Sequence, residues 1–116
     1  MELTVRARHA GNVVVVTFAG RMVLGQAMSA ATDWLRELIA TNPQVVLDLN
    51  ELFFVDPSGI GALLSLYTSA TSHGGKLRFA RPSRKIARLL ETTKLTSVLP
   101  VHESEEAAIA AFAGAS

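Results

Sequence analysis

The chain has 116 residues, 49% of them apolar and 18% charged, with a net charge of +1 and no cysteine. That length and balance fit one packed domain over residues 1–116, with a core that needs no disulfide or metal, and they exclude a disordered chain. The missing cysteines exclude a disulfide framework, thiolate zinc sites and thiol catalysis, and the small net charge excludes strong polyanion affinity of the chain as a whole.

Met1-Glu2-Leu3-Thr4-Val5-Arg6 has no apolar core of signal-peptide length, and no apolar run approaches a bilayer span. A cytoplasmic address with no transmembrane segment is therefore expected. Leu3, Val5 and Ala7 alternate with polar residues, as in a half-buried edge strand. Gly11-Asn12 reads as a tight turn into the β-branched run Val13 to Phe18, a central strand ended by Gly20. From Gln26 to Thr41, Met28, Ala31, Leu35, Leu38 and Ile39 recur at helical spacing, with Trp34 beside that stripe as a packing residue and Asn42-Pro43 as the stop. Val45 to Leu49 is a strand, and after a brief connector Pro57 to His73 is a helix stopped by Gly74-Gly75. Lys76 to Ala80 is a short strand, and Arg81-Pro82-Ser83 opens a helix carrying Ile86, Leu89 and Leu90. Val98 to Val101 reads as a last strand, confined by Pro100 to an edge or strand end. A helix from Ser104 to Ala113 closes the chain, capped by Ser104 with Glu105 and Glu106 in its first turn.

This alternation predicts an α/β domain: a mixed, mostly parallel sheet of about five strands after an N-terminal hairpin, packed with about four helices. Sites in such sheets gather outside the carboxyl ends of the strands, where the following helices begin. Asp56-Pro57-Ser58-Gly59-Ile60-Gly61 lies at one such point. Asp56 suits the N-cap, and Pro57 suits the first helical position, where its missing N–H costs nothing. Ser58 then falls in the first turn, where free N–H groups and the helix dipole favour an anion, and where a hydroxyl can be modified into one. The plainer reading is a well-made helix start. Gly59 and Gly61 argue against it alone, since each weakens a helix by about 1 kcal/mol relative to alanine and implies a compensating close approach of backbone or partner.

Other chemistry is poorly supplied. Pro57-Ser58-Gly59-Ile60-Gly61 lacks the first glycine of a hydrolase elbow, and His9, His73 and His102 have no metal-ligand spacing. Gly74-Gly75-Lys76-Leu77 lacks the Ser/Thr of a phosphate loop, and Asp48 reads as a structural hydrogen-bonding residue. No enzyme, metal or cofactor is expected. Lys76, Arg78, Arg81, Arg84, Lys85, Arg88 and Lys94 share one stretch with Glu91 as its only acid. It is read as a solvated face or as a docking surface for an acidic partner; nucleic-acid binding lacks interleaved aromatics.

Val45-Val46-Leu47-Asp48-Leu49, followed by Phe54-Val55-Asp56-Pro57-Ser58-Gly59-Ile60-Gly61-Ala62-Leu63-Leu64, resembles the signature of STAS domains. These are the domains of anti-sigma factor antagonists (anti-anti-sigma factors) and of sulfate transporter tails. The similarity continues through Gly74-Gly75-Lys76-Leu77, Leu89 to Leu95, Val98 to Val101 and Ser104 to Ala107, covering nearly all of the chain from Val13 onward. In the antagonist branch the motif is an acid, two hydroxyl residues and a glycine, and the second hydroxyl is phosphorylated by a serine-kinase anti-sigma factor. Asp56, Ser58 and Gly59 match it. The resemblance implies that Ser58 is the phosphoacceptor and that Asp56, Pro57, Ser58, Gly59, Arg21 and Met22 meet the partner. It further implies that the unmodified domain displaces a sigma factor from that kinase, that phosphorylation ends binding, and that a phosphatase restores it, without direct nucleic-acid contact. Pro57 stands where antagonists carry the first hydroxyl, and Gly20 to Gly25 has Arg21 as its only charge where many carry an acid. The alternative within the resemblance is a non-phosphorylated adaptor subunit of a lipid-transport ABC complex or multi-STAS signalling assembly. Outside it stands a small hydrolase or nucleotide-processing domain.

Overall fold

The computed structural model describes residues 2–114; Met1, Ala115 and Ser116 of the expected single domain lie outside the described residues. Thr4–Ala10 (β1) turns at Gly11 and Asn12 into Val13–Met22 (β2), which it pairs antiparallel, Val5 opposite Phe18. Gly11 sits at φ +63°, the left-handed region a tight hairpin turn requires. Gln26–Thr41 (α1) follows, then Gln44–Asp48 (β3), Leu52–Val55 (β4) and Pro57–Ser72 (α2). Lys76–Ala80 (β5), Arg84–Thr92 (α3), a 3-10 turn at Leu95–Ser97, Val101–His102 (β6) and Glu105–Gly114 (α4) complete the order.

The sheet runs β1-β2-β3-β5-β6, parallel beyond the hairpin, with Val16 opposite Leu47, Leu47 opposite Phe79, and Phe79 opposite Val101. Its central strands are continuous apolar runs because both faces are covered. Val14, Val16 and Phe18 point into the larger core with Leu35, Leu47, Leu63, Leu66, Phe79 and Leu90, beneath α1, α2 and α3. Val13, Val15 and Val46 point the other way, against Ala108 and Phe112 of α4. Each fully buried side chain of the size of Phe18 or Leu47 contributes about 1.5–3 kcal/mol. Trp34 packs against the larger core from its margin, as expected.

Four expectations need correction. β2 does not end at Gly20 but runs on to Met22 past a bulge between Gly20 and Arg21, and there it pairs with β4. Gly20 is needed because its φ is +108° and a Cβ would lie 2.3 Å from the carbonyl oxygen of Glu2. The connector after β3 contains a strand of its own, β4, displaced from β3 by the turn in which the Leu52 N–H donates to the Leu49 carbonyl (3.1 Å). Ala7 is exposed rather than half-buried. The last strand is not Val98 to Val101: Val98 follows the 3-10 turn, and Pro100, lacking an N–H, enters the ladder only as acceptor from Phe79 (2.9 Å).

Asp48, wholly buried at the end of β3, is the structural acceptor the sequence implied. Its carboxylate takes the Asn50 N–H (2.9 Å) and the Arg81 Nε (2.9 Å). Arg81 is held at φ +54° to reach it, and Glu105, the first residue of α4, hydrogen-bonds Asp48 and pairs with Arg8. The Ser104 hydroxyl caps α4 through the Ala107 N–H (3.0 Å), as expected.

Candidate functional site

β4 ends at Val55 and the chain turns at Asp56 into α2. The extended backbone of Asp56 (φ −86°, ψ 176°) and the proline at the next position start the helix as the sequence predicts. Asp56 also does something the sequence did not disclose. While Oδ1 accepts the Gly59 N–H at 2.8 Å, Oδ2 accepts the Leu24 N–H at 3.0 Å, and its own N–H donates to the Met22 carbonyl at 3.0 Å. One residue therefore fastens the segment after β2 to the start of α2. The Leu24 N–H, then the Gly59 N–H, hold its carboxyl below the usual aspartate range and outweigh partial desolvation, so it is ionised near neutral pH.

This geometry corrects the expectation of a helix start with open N–H groups. The Gly59 N–H belongs to the Asp56 carboxylate, the Ile60 N–H donates to the Asp56 carbonyl at 3.0 Å, and Pro57 has none. The N-cap has occupied most of the anion-binding capacity. Ser58 is half-buried, and its hydroxyl makes no hydrogen bond among the described residues. Among the described residues no group of three or more His, Asp or Glu is placed to hold a metal ion, and no helix is long and apolar enough to cross a membrane.

Gly59 has the close backbone approach its position implied. A Cβ there would lie 2.7 Å from the Met22 carbonyl oxygen and 2.6 Å from Val55 Cγ1, so β2, β4 and α2 meet at van der Waals distance only because it is absent. Gly61 faces open space on the exposed side of α2. Its neighbours on that side are the exposed Pro57 and Leu64.

The model of the STAS domain family matches residues 4–108. The chain belongs to the STAS domain family. Over 111 residues it is 25% identical to an anti-sigma F factor antagonist of Paenibacillus polymyxa, covering 90% of this chain and 91% of the relative. Its fold is similar to that of an anti-sigma factor antagonist from Mycobacterium paratuberculosis, with TM-score 0.82, 21% identity, and 95% and 93% of the two chains covered. It is also similar to the Bacillus cell fate determinant SpoIIAA in its phosphorylated form, with TM-score 0.64, 19% identity, and 94% and 99% covered. At these identities the structural likeness carries the fold alone.

In this STAS domain Asp56, Pro57, Ser58 and Gly59 form one contiguous turn, with Pro57 outermost and Gly59 buried. Arg21 is exposed on β2, its guanidinium 5.3 Å from the centre of the Phe54 ring. Met22, expected at the partner surface, has no exposed side chain: it lies wholly in the core, and only its carbonyl serves the site. The pattern reading missed Leu24, whose side chain is 76% exposed while its N–H is fixed by Asp56. The available signal was an apolar residue immediately before Gly25, between the β2 run and the α1 stripe and part of neither.

Proposed function

We propose that this STAS domain is an anti-sigma factor antagonist that docks on a serine-kinase anti-sigma factor through the start of α2 and is switched off by phosphorylation at Ser58. The observation that carries the reading is the half-buried Ser58 hydroxyl, without a hydrogen bond among the described residues, two residues from a clamped Asp56 and beside exposed Pro57 and Leu24. The name of the Paenibacillus relative supports the same class of function, a binding protein rather than an enzyme.

The switch is local. A phosphate on Ser58 adds about −1.5 to −2 charges and three acceptor oxygens. Asp56, ionised and already holding the Gly59 N–H, repels it, so the helix start offers the dipole but few free donors. The modified surface is hydrated and negative where the unmodified one presents Pro57 and Leu24. Binding is lost without refolding, and a phosphatase restores it. Pro57 fixes the backbone ahead of the acceptor, so the hydroxyl is presented from a rigid turn.

Intact mass after incubation with ATP and candidate serine-kinase anti-sigma factors tests this. One added phosphate, absent in Ser58→Ala, supports the reading. No phosphate from any candidate, together with stable binding to a transporter ATPase, replaces it with the adaptor role.

A further inference from the structure

We infer that the groove between β4 and α3 seats an acidic, partly apolar segment of the partner, beside the turn that carries Ser58; this rests on the antagonist reading for the partner's identity. The groove encloses about 320 Å³. Val55, Ile86 and Leu89 supply its apolar lining, and Lys85, Arg88 and Thr92 supply its polar part, with no acid among its lining residues. Phe54 closes one side, and two cations from different elements approach its ring, the Arg21 guanidinium of β2 and the Lys85 ammonium of α3, each 5.3 Å from the ring centre.

The charge is uncompensated. The ion pairs among the described residues are Arg6–Glu51, Arg8–Glu105, Arg36–Asp33 and Arg81–Asp48, so Arg21, Lys85 and Arg88 have no carboxylate. Glu91, on the same helix, lines a different cavity, with Arg81 and His102. An occupant with carboxylates at its edges and an aliphatic side chain between them matches both the rim and the lining. The groove is also continuous with the site, because Val55 both lines it and touches the position where a Cβ on Gly59 would stand. Nucleic acid fits less well: Phe54 is a single ring already occupied by two cations, not a stacking platform.

Amide chemical shifts of the full chain, titrated with a synthetic peptide of glutamates interspersed with leucines, test the inference. The expected shifts cluster on Arg21, Phe54, Lys85, Ile86, Arg88 and Leu89, weaken with salt, and are absent with the glutamine counterpart. The double variant Lys85→Glu/Arg88→Glu, its fold checked by spectral dispersion, binds the acidic peptide about two- to thirtyfold more weakly, the range that loss of two exposed pairs implies. The titration contains no ATP and no kinase, which separates this test from that of the phosphorylation switch. Absence of shifts, equal response to the glutamine peptide, shifts centred on Lys76 or Lys94, or displacement at lower concentration by a single-stranded oligonucleotide or phosphatidylserine vesicles would each overturn it.

Discussion

The Asp56 carboxylate and the Leu24 N–H, thirty-two positions apart, are joined by a 3.0 Å hydrogen bond that fixes an exposed leucine beside a helix start. Leu24 is therefore a placed side chain rather than a loose loop residue. Asp56→Ala removes both this clamp and the bond to Gly59, while Asp56→Asn keeps a capping oxygen but puts a donor where one acceptor stood. The alanine variant is expected to melt several degrees lower and to lose hydrogen-exchange protection at Leu24, with asparagine between the two. An unchanged midpoint for alanine would mean the clamp contributes nothing.

The two glycines of this turn have opposite fates. Gly59→Ala gains helix propensity of about 1 kcal/mol, but its methyl meets the Met22 carbonyl at 2.7 Å and Val55 Cγ1 at 2.6 Å. Relieving such overlap costs about 1–3 kcal/mol, more than the propensity returns where backbone must shift, so the protein is destabilised. Gly61→Ala meets nothing within 4 Å and is stabilised by about 0.5–1 kcal/mol. Urea denaturation of the two variants checks the contrast in sign.

Arg81→Ala leaves the fully buried Asp48 carboxylate with the Asn50 N–H and the Glu105 carboxyl as partners. The expected loss is about 1–3 kcal/mol, the cost of an under-satisfied buried acceptor. Part of it is offset because a long side chain, 41% exposed, no longer has to be held in one geometry, while the φ +54° strain stays in the alanine. A midpoint in urea equal to wild type contradicts this role for the pair.

Two carboxyls give stability opposite pH slopes. The hydrogen bond to Asp48, then burial, raise Glu105 above its usual value of 4.5, against the pull of Arg8. The folded state thus holds that proton more tightly, and the contribution is complete below about 4.5 and lost as pH rises through the raised value. Asp56, lowered from 3.8, contributes stability present above 3.8 and lost as pH falls through its lower folded value. Stability measured against pH is therefore flatter on the neutral side in Glu105→Gln and flatter on the acid side in Asp56→Asn. Parallel curves for wild type and either variant contradict the corresponding shift.

What the sequence disclosed and what it hid have physical causes. Helices α1 and α2 were legible because their apolar spacing, Pro57 and Gly74-Gly75 are local signals. β4 was not, although Leu52-Phe53-Phe54-Val55 is a strand-forming run, because its pairing to the far end of β2 depends on a bulge at Gly20 and Arg21 that no local pattern encodes. The capping role of Asp56 was local and readable. Its bond to Leu24 and the burial of Met22 arise only when β2, β4 and α2 converge. Arg21 was singled out as a lone charge, but its partnership with Phe54 and Lys85 again needs the β2–β4 pairing.

The most direct test of the switch is calorimetric binding of the serine-kinase anti-sigma factor to this domain in two forms, unmodified and phosphorylated at Ser58. A defined complex is expected with the unmodified chain, and an affinity at least about tenfold weaker, some 1.4 kcal/mol, with the phosphorylated one. Equal affinity of the two forms would contradict it.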